Sequence, residues 1–161
     1  MEILKSTIED IPAIASIYEN ARKFMCEHGN PNQWTDGYPA YEDVLNDINN
    51  GNSYVVKEGS EILGVFVFII GEDPTYKIIE NGNWHYDLPY GTIHRIASNG
   101  KVKNFSGICF DYCQTLINYL RIDTHEDNKS MRDAVTRYGF KECGIIYVRN
   151  GPRIAYDYCA E

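Results

Sequence analysis

The stretch that most constrains the fold starts at Tyr90-Gly-Thr-Ile-His-Arg-Ile-Ala-Ser98 and ends at Tyr138-Gly-Phe140. It reads as a strand, a turn with two lysines, a helix, a second strand over 121–124 and a second helix over 129–138. Two strands joined through a helix usually run parallel. A helix that begins directly after a turn presents unpaired backbone amides, which bind anions. The stretch therefore predicts a partly parallel sheet with an anion site at the start of a helix.

The rest of the chain predicts further strands and helices around this unit. Ser6-Thr-Ile-Glu9 has the spacing of a capping box, and apolar residues from Ile11 to Phe24 recur at helical spacing up to Gly29. The other predicted elements are a strand at 3–5, a loop at 30–39, a helix at 41–49, a hairpin of strands 53–58 and 62–70, an irregular segment at 72–89, a strand at 92–97, a helix from about 105 to 118, and strands at 143–148 and 153–158. The order β-α-α-β-β-β-α-β-α-β-β predicts one α/β domain over residues 1–161.

Composition limits the class of protein. Hydrophobic residues make up 43% of the chain and charged residues 24%, as in ordinary globular proteins. There is no apolar run of about 20 residues and no basic-then-apolar start, so we expect neither a membrane span nor a secretory signal. The five cysteines are odd in number and form no Cys-x-x-Cys pair. We therefore expect reduced thiols, a cytoplasmic location and no metal site.

The net charge of −8 constrains the partners. Nucleic-acid binding needs a basic surface, so we expect no nucleic-acid partner. An acidic surface attracts cations such as amines, but it also serves solubility alone. Both interpretations stay open at this point.

The stretches 93–97 and 120–147 resemble the core of the GNAT superfamily of acyl-CoA N-acyltransferases, and the element order agrees over nearly the whole chain. The resemblance implies a single-domain mixed sheet that is flanked by helices and splayed between its fourth and fifth strands. It further implies that acyl-CoA lies in this opening, with backbone groups of the fourth strand holding the pantetheine arm.

In this family the loop after the fourth strand binds pyrophosphate, usually through Gln/Arg-x-x-Gly-x-Gly/Ala. The matching segment is degenerate: Lys101 retains the basic first position, Asn104 replaces the first glycine and Ser106 the second. Asn tolerates left-handed backbone angles better than most residues. Asn128, before the next helix, matches an Asn that commonly bonds the cofactor arm, although Asn is also a favoured helix N-cap. The residues expected to bind acetyl-CoA are Ile96, Ala97, Ser98, Lys101, Val102, Lys103, Asn104, Phe105, Ser106, Gly107 and Asn128.

Acyl transfer to an amine requires a base that removes a proton from the ammonium ion and a donor for the developing oxyanion. A backbone N–H of the splayed strand can supply the donor. His94 on the fourth strand and Asp123 on the fifth are the predicted catalytic residues, with His125 as a weaker candidate for the base. Arg95 alternates to the opposite face from His94 in a regular strand.

The usual general acid of the family is missing. Many members have a Tyr four residues before the Gly of Gly-Phe, but counting back from Gly139 reaches Val135. Either Tyr147 or Ser130 donates the proton, or the thiolate leaves unprotonated.

The family builds its acceptor pocket from the early helices and the hairpin region. Trp34, Tyr76 and Trp84, together with Tyr38, are predicted to bind the substrate, because aromatic faces hold cations. Glu72 or Asp73 would supply the counter-charge, and the same rings could instead cover the sheet.

These features predict an N-acetyltransferase that moves acetyl from acetyl-CoA to a primary amine of a small molecule or peptide. The degenerate loop and Val135 support an alternative, a weakly active or inactive protein of the same fold that senses CoA or a metabolite. The tyrosine-rich C-terminal strands are compatible with a homodimer and equally with a monomer.

Overall fold

The computed structural model describes residues 1–160, so Glu161, which belongs to the predicted domain, lies outside the described residues. Seven strands form one mixed sheet in the order β1-β2-β3-β4-β5-β7-β6. The strands are β1 (Glu2–Lys5), β2 (Ser53–Glu58), β3 (Glu61–Ile70), β4 (Gly91–Ser98), β5 (Tyr119–Thr124), β6 (Lys141–Val148) and β7 (Gly151–Cys159). The helices are α1 (Ile11–Glu27), α2 (Tyr41–Asn49), α3 (Phe105–Gln114) and α4 (Lys129–Tyr138). No helix in residues 1–160 is long and apolar enough to span a membrane.

Neighbouring strands run antiparallel except for β4 and β5, which are parallel as predicted. In the described residues β4 and β5 pair at two positions, Gly91 with Leu120 and Thr92 with Arg121. Yet β4 continues to Ser98 and β5 to Thr124. The recorded pairing therefore lies at the start of both strands.

The chain divides into two compact units, which are described separately. The first comprises residues 1–68 and 94–105. Its core lies between α1, α2 and strands β2 and β3, because the apolar faces of both helices are buried there. The fully or nearly buried members of this core include Ile14, Ile17, Tyr18, Val44, Val55 and Val65.

The second unit comprises residues 69–93 and 106–160. Its core is rich in aromatic rings, including Tyr76, Tyr90 and Tyr119. A second aromatic group joins Phe110 to Tyr138 and Phe140, with ring centroids 5.1 and 5.0 Å apart. Gly139 ends α4 with φ 116°, an angle that residues with side chains rarely adopt.

Three predicted details are wrong. The cap before α1 is one residue further along, because the Thr7 N–H donates to the Asp10 carboxylate at 2.8 Å. Phe24 is 51% exposed rather than on the buried face of α1, and its ring stacks on His28 at 3.8 Å. Helix α3 ends at Gln114 rather than near 118. After Gln114, the amides of Thr115 and Leu116 donate to carbonyls three residues earlier and form tight turns.

Candidate active site

Strand β4 is irregular at Arg95, which has φ 47° in the left-handed region. A non-glycine residue pays a steric cost there and needs support from its surroundings. Tyr18 supplies part of that support, since its hydroxyl donates to the Arg95 carbonyl at 2.9 Å. The prediction that the side chains of His94 and Arg95 point to opposite faces assumed a regular strand, and β4 is not regular at Arg95. His94 itself is partly buried.

Hydrogen bonds of the Arg95 side chain also stabilise this backbone conformation. Its Nη2 and Nε atoms donate to the two carboxylate oxygens of Asp47 at 2.6 and 2.9 Å, and Nη1 donates to the Tyr38 hydroxyl. Burial opposes the charge of Arg95, but Asp47 and Tyr38 outweigh it, so the pKa of Arg95 is raised. Tyr38, expected in the acceptor pocket, is thus bonded to Arg95.

The predicted pyrophosphate loop leads directly into α3. Asn104 has φ 55°, the left-handed conformation that a glycine would supply at this position. The next residue, Phe105, begins α3, so Phe105, Ser106 and Gly107 form its first turn, where backbone amides have no partner within the helix. This arrangement suits an anion.

Two lysines flank the loop, and one of them is engaged. The Lys101 ammonium forms an ion pair with Glu61 at the start of β3, and both side chains are exposed. Lys103 is also exposed. Gly64 of β3 lies under the Phe105 ring, where an added Cβ would come within 2.2 Å of it. The Phe105 ring is therefore packed closely against β3 within the first unit.

Asp123 on β5 accepts a hydrogen bond of 2.6 Å from the hydroxyl of Tyr76. Tyr76 is 2% exposed, and burial, followed by the Asp123 charge, raises its pKa well above the ordinary value. Tyr76 therefore keeps its proton and orients the carboxylate. Its ring, which was expected to contact a substrate, is buried rather than open to the surface.

Trp84 is engaged in a similar way. Its indole N–H donates to the Tyr76 carbonyl at 3.0 Å, and the guanidinium of Arg121 lies 4.1 Å from its ring centroid. Tyr90 contacts the same guanidinium at 4.0 Å. The ring face of Trp84, which was expected to hold a substrate cation, thus contacts a cation of the chain itself.

Trp34, the third predicted substrate residue, is partly buried and packs edge-on against Tyr18 with ring centroids 5.5 Å apart. It contributes to the core of the first unit. In the second unit, Asn128 caps α4 by accepting a bond from the Met131 amide at 3.0 Å. Val135, at the position of the missing acid, is fully buried.

The Tyr76–Asp123 and Arg121–Trp84 contacts were not predicted. Tyr76 and Asp123 are 47 residues apart, and no local pattern connects them. Arg121 lies between two apolar strand residues, Leu120 and Ile122. This pattern was the available signal, because a buried arginine needs partners for its charge.

Comparison with known proteins supports the fold. No protein-family profile matches the sequence, and no curated protein sequence does. Solved structures do: a GNAT-family acetyltransferase of Streptococcus agalactiae is 28% identical, with a TM-score of 0.90 over 99% of this chain and 95% of that chain.

Two more distant structures share the fold. A GNAT-family acetyltransferase of Listeria monocytogenes is 15% identical, with a TM-score of 0.67 over 99% of this chain and 94% of that chain. RimJ of Mycobacterium smegmatis, solved in complex with CoA-disulfide, is 14% identical, with a TM-score of 0.60 over 98% of this chain and 81% of that chain. The chain therefore has the fold of the GNAT family of acyl-CoA N-acyltransferases, and this similarity supports a general acetyltransferase function.

Proposed function

We propose that the protein transfers an acetyl group from acetyl-CoA to a primary amine of a small molecule or peptide by direct attack of the amine. The observation that carries this proposal is the similarity to the S. agalactiae acetyltransferase over nearly the whole chain. The thioester supplies the activated acyl group. The chain must bind the CoA phosphates, orient the thioester beside β4 and take a proton from the amine.

Phosphate binding is assigned to the loop before α3. The left-handed Asn104 and the first-turn amides of α3 support this assignment, because such amides and the helix dipole favour negative charge. We expect Asn104→Gly to bind acetyl-CoA more tightly, since glycine adopts φ 55° without the steric cost of a Cβ. Unchanged affinity would show that the loop serves another purpose.

The ion pair between Lys101 and Glu61 opposes this role, because it occupies the ammonium group. Glu61→Gln should release Lys101 and strengthen acetyl-CoA binding by about two- to five-fold, the range of exposed ion pairs. Glu58→Gln, at an exposed position of the same hairpin, is the matched control. Isothermal titration calorimetry at two salt concentrations measures the difference, which should shrink as salt increases.

Proton removal is assigned to His94, with Asp123 as the second candidate. Asp123 Oδ1 already accepts a hydrogen bond of 2.6 Å from the Tyr76 hydroxyl, so this oxygen is less available to an amine proton. We therefore expect His94→Ala to lower kcat by about 100-fold or more and Asp123→Asn to lower it less. If neither variant lowers kcat by more than a few-fold at any pH from 6 to 9, both assignments are wrong.

No side chain is assigned as the acid. Val135 carries no proton to donate, and the Tyr147 hydroxyl donates to Glu80 at 3.0 Å, a bond that raises the pKa of Tyr147. The CoA thiolate is a fair leaving group without protonation.

The activity itself is tested by incubating the protein and acetyl-CoA with a panel of amines that contains polyamines, amino acids and peptides. Free CoA is quantified by chromatography, because the five protein cysteines would react with thiol reagents. Acetylated products are identified by mass spectrometry. Turnover with at least one amine, absent in His94→Ala, supports the proposal, whereas CoA release at the rate of a no-amine blank contradicts it.

The replacement of both loop glycines and the presence of Val135 favour a second candidate, a CoA- or metabolite-sensing protein without turnover. A ligand at 100 times its Kd stabilises a protein by about 2.7 kcal/mol. Thermal stabilisation by CoA without turnover on the amine panel would favour this second function.

A further inference from the structure

The second unit contains a cluster of side chains that the proposed acetyl transfer does not use. It comprises His85, Cys143 and Asp157, whose Nδ1, Sγ and carboxylate oxygen lie within 4.8 Å of one another. The His85 Nδ1 atom is 2.7 Å from Asp157 Oδ1 and 3.4 Å from Cys143 Sγ. We call these three residues the His85 cluster.

Hydrogen bonds to one oxygen of the Asp157 carboxylate fix the orientation of this group. Asp157 Oδ2 accepts two hydrogen bonds, one from the His85 backbone N–H at 2.9 Å and one from the Tyr119 hydroxyl at 2.7 Å. Tyr119 in turn accepts a bond from Arg121 Nε at 3.2 Å. The second oxygen, Oδ1, therefore faces the imidazole and the thiol. Such outer partners fix the direction of metal ligands in known sites.

The spacing fits a tetrahedral metal ion. Ligands at the usual zinc distances to sulfur, nitrogen and oxygen lie about 3.6 Å apart for S and N and about 3.3 Å apart for N and O. The sulfur–nitrogen separation agrees, and the nitrogen–oxygen pair must open by about half an ångström when its hydrogen bond is replaced. His85 has room to do so, since its side chain is 42% exposed.

We propose that His85, Cys143 and Asp157 form a zinc site, with water as the fourth ligand on the exposed side of His85. A thiolate, an imidazole and a carboxylate suit Zn²⁺, whereas Mg²⁺ and Ca²⁺ prefer oxygen ligands alone. On binding, the Cys143 thiol releases its proton to solvent, and the imidazole carries its proton on Nε2. Cys143 and Asp157 are 6% and 2% exposed, so the ion would be reached past His85.

The site would fasten the irregular segment before β4 to strands β6 and β7. Glu80 already pairs with Ile145 by two backbone hydrogen bonds of 2.8 and 2.9 Å. Gly82 and Gly144 allow close approach, because an added Cβ at either would lie within 2.5 Å of a carbonyl oxygen across the contact. A zinc ion would add a second link between this segment and the two strands, from His85 to Cys143 of β6 and Asp157 of β7.

Zinc binding by the full-length protein tests the proposal. After dialysis against a chelator, we expect one Zn²⁺ per chain in a competition titration, and the melting temperature should rise by roughly 5–10 °C at 100 times the Kd. His85→Ala should weaken binding by about 100-fold or more, beyond the range of outer-partner changes. His28→Ala, an exposed histidine in the other unit, should bind zinc as the unmodified protein does.

Two outcomes of this titration would overturn the site. One is zinc binding that is as tight in His85→Ala as in the unmodified protein. The other is no zinc uptake at micromolar concentration, which would leave a hydrogen-bonded cluster only. His85→Ala is suited to the test because the exposed ring can be removed while the backbone N–H bond to Asp157 stays.

Cobalt provides a second, spectroscopic measurement. Co²⁺ in the site should give an intense thiolate charge-transfer band in the near ultraviolet together with tetrahedral visible bands. Cys143→Ser should abolish the charge-transfer band, whereas Cys159→Ser, which removes a partly buried thiol of β7, should retain it. Equal bands in both variants would show that Cys143 does not ligate the metal.

Discussion

Each unit contains an arginine that is partly or fully buried, and the two charges are neutralised in different ways. In the first unit Arg95 meets a carboxylate, with Asp47 accepting bonds of 2.6 and 2.9 Å. In the second unit Arg121 is 7% exposed and lies between aromatic rings, 4.1 Å from Trp84 and 4.0 Å from Tyr90. Its N–H groups donate to a hydroxyl and a backbone carbonyl rather than to a carboxylate.

This difference shows two ways of burying a cation. A carboxylate concentrates the compensating charge in one residue, so loss of that residue leaves an unpaired charge. Rings and neutral oxygens distribute the compensation over several partners, so each loss should be smaller. The two arginines therefore differ in what compensates their charge: Arg95 has one carboxylate partner, Asp47, whereas Arg121 has several rings and neutral oxygens.

The largest effect is expected for Asp47→Ala, which leaves the partly buried Arg95 without its counter-ion. We expect the free energy of unfolding to fall by about 3–5 kcal/mol in urea titrations. Glu42→Ala, at an exposed position of α2, should change it by less than about 0.5 kcal/mol. A loss of less than about 1 kcal/mol in Asp47→Ala would remove the contrast between the two arginines.

Trp84→Ala should have the next largest effect, about 2–4 kcal/mol, because a partly buried ring and its contact with Arg121 are lost together. Trp84→Phe keeps a ring face for the guanidinium and should cost less than half as much. Equal losses in the two variants would show that packing alone, without the cation contact, accounts for the effect. Chemical denaturation measures both.

Replacing each arginine by lysine sharpens the comparison. Lysine cannot form the two-pronged bond to Asp47, nor can it stack flat on two rings, so both variants should lose about 1–3 kcal/mol. In both variants the loss of unfolding free energy should change little with salt concentration, because both sites are shielded from solvent. A loss for Arg95→Lys that disappears at 1 M salt would mean that the ion pair is open to water.

The smallest effects are expected for the hydroxyl groups. Tyr119→Phe should cost about 1.5 kcal/mol, since its hydroxyl donates to the Asp157 carboxylate. Tyr38→Phe should cost about 0.5–1 kcal/mol, since Arg95 keeps both bonds to Asp47. The reverse order would indicate that Tyr38 is a main support of Arg95.

The local elements were largely predictable. The bounds of α2, β2 and α4 agree with the predictions. Apolar spacing and a glycine at or just after the end of each helix, Gly51 for α2 and Gly139 for α4, are signals that depend only on neighbouring residues. The cap before α1 was misplaced by one residue because Thr7-Ile-Glu-Asp10 competes with Ser6-Thr-Ile-Glu9, and local spacing does not distinguish them. The left-handed backbone at Asn104 also follows from residue type.

The environment of the candidate site was much less predictable. An aromatic ring in a polar loop is expected to face a ligand or the core, and the sequence does not show that Arg121 would occupy the face of Trp84. The absence of a metal site was predicted from cysteine spacing. The residues of the His85 cluster, however, are 58 and 72 positions apart, far beyond any spacing rule.

The sequence by itself determined the order of strands and helices, the parallel pair at the centre of the sheet and the loop before α3. Hydrophobic periodicity, glycine and capping residues act over short distances, so they are visible in the chain. Only the tertiary structure decided which side chains meet: Tyr76 with Asp123, Arg95 with Asp47, and His85 with Cys143 and Asp157. The physical reason is that buried charges and donors must find partners wherever packing brings them, and packing joins residues without regard to their separation in sequence.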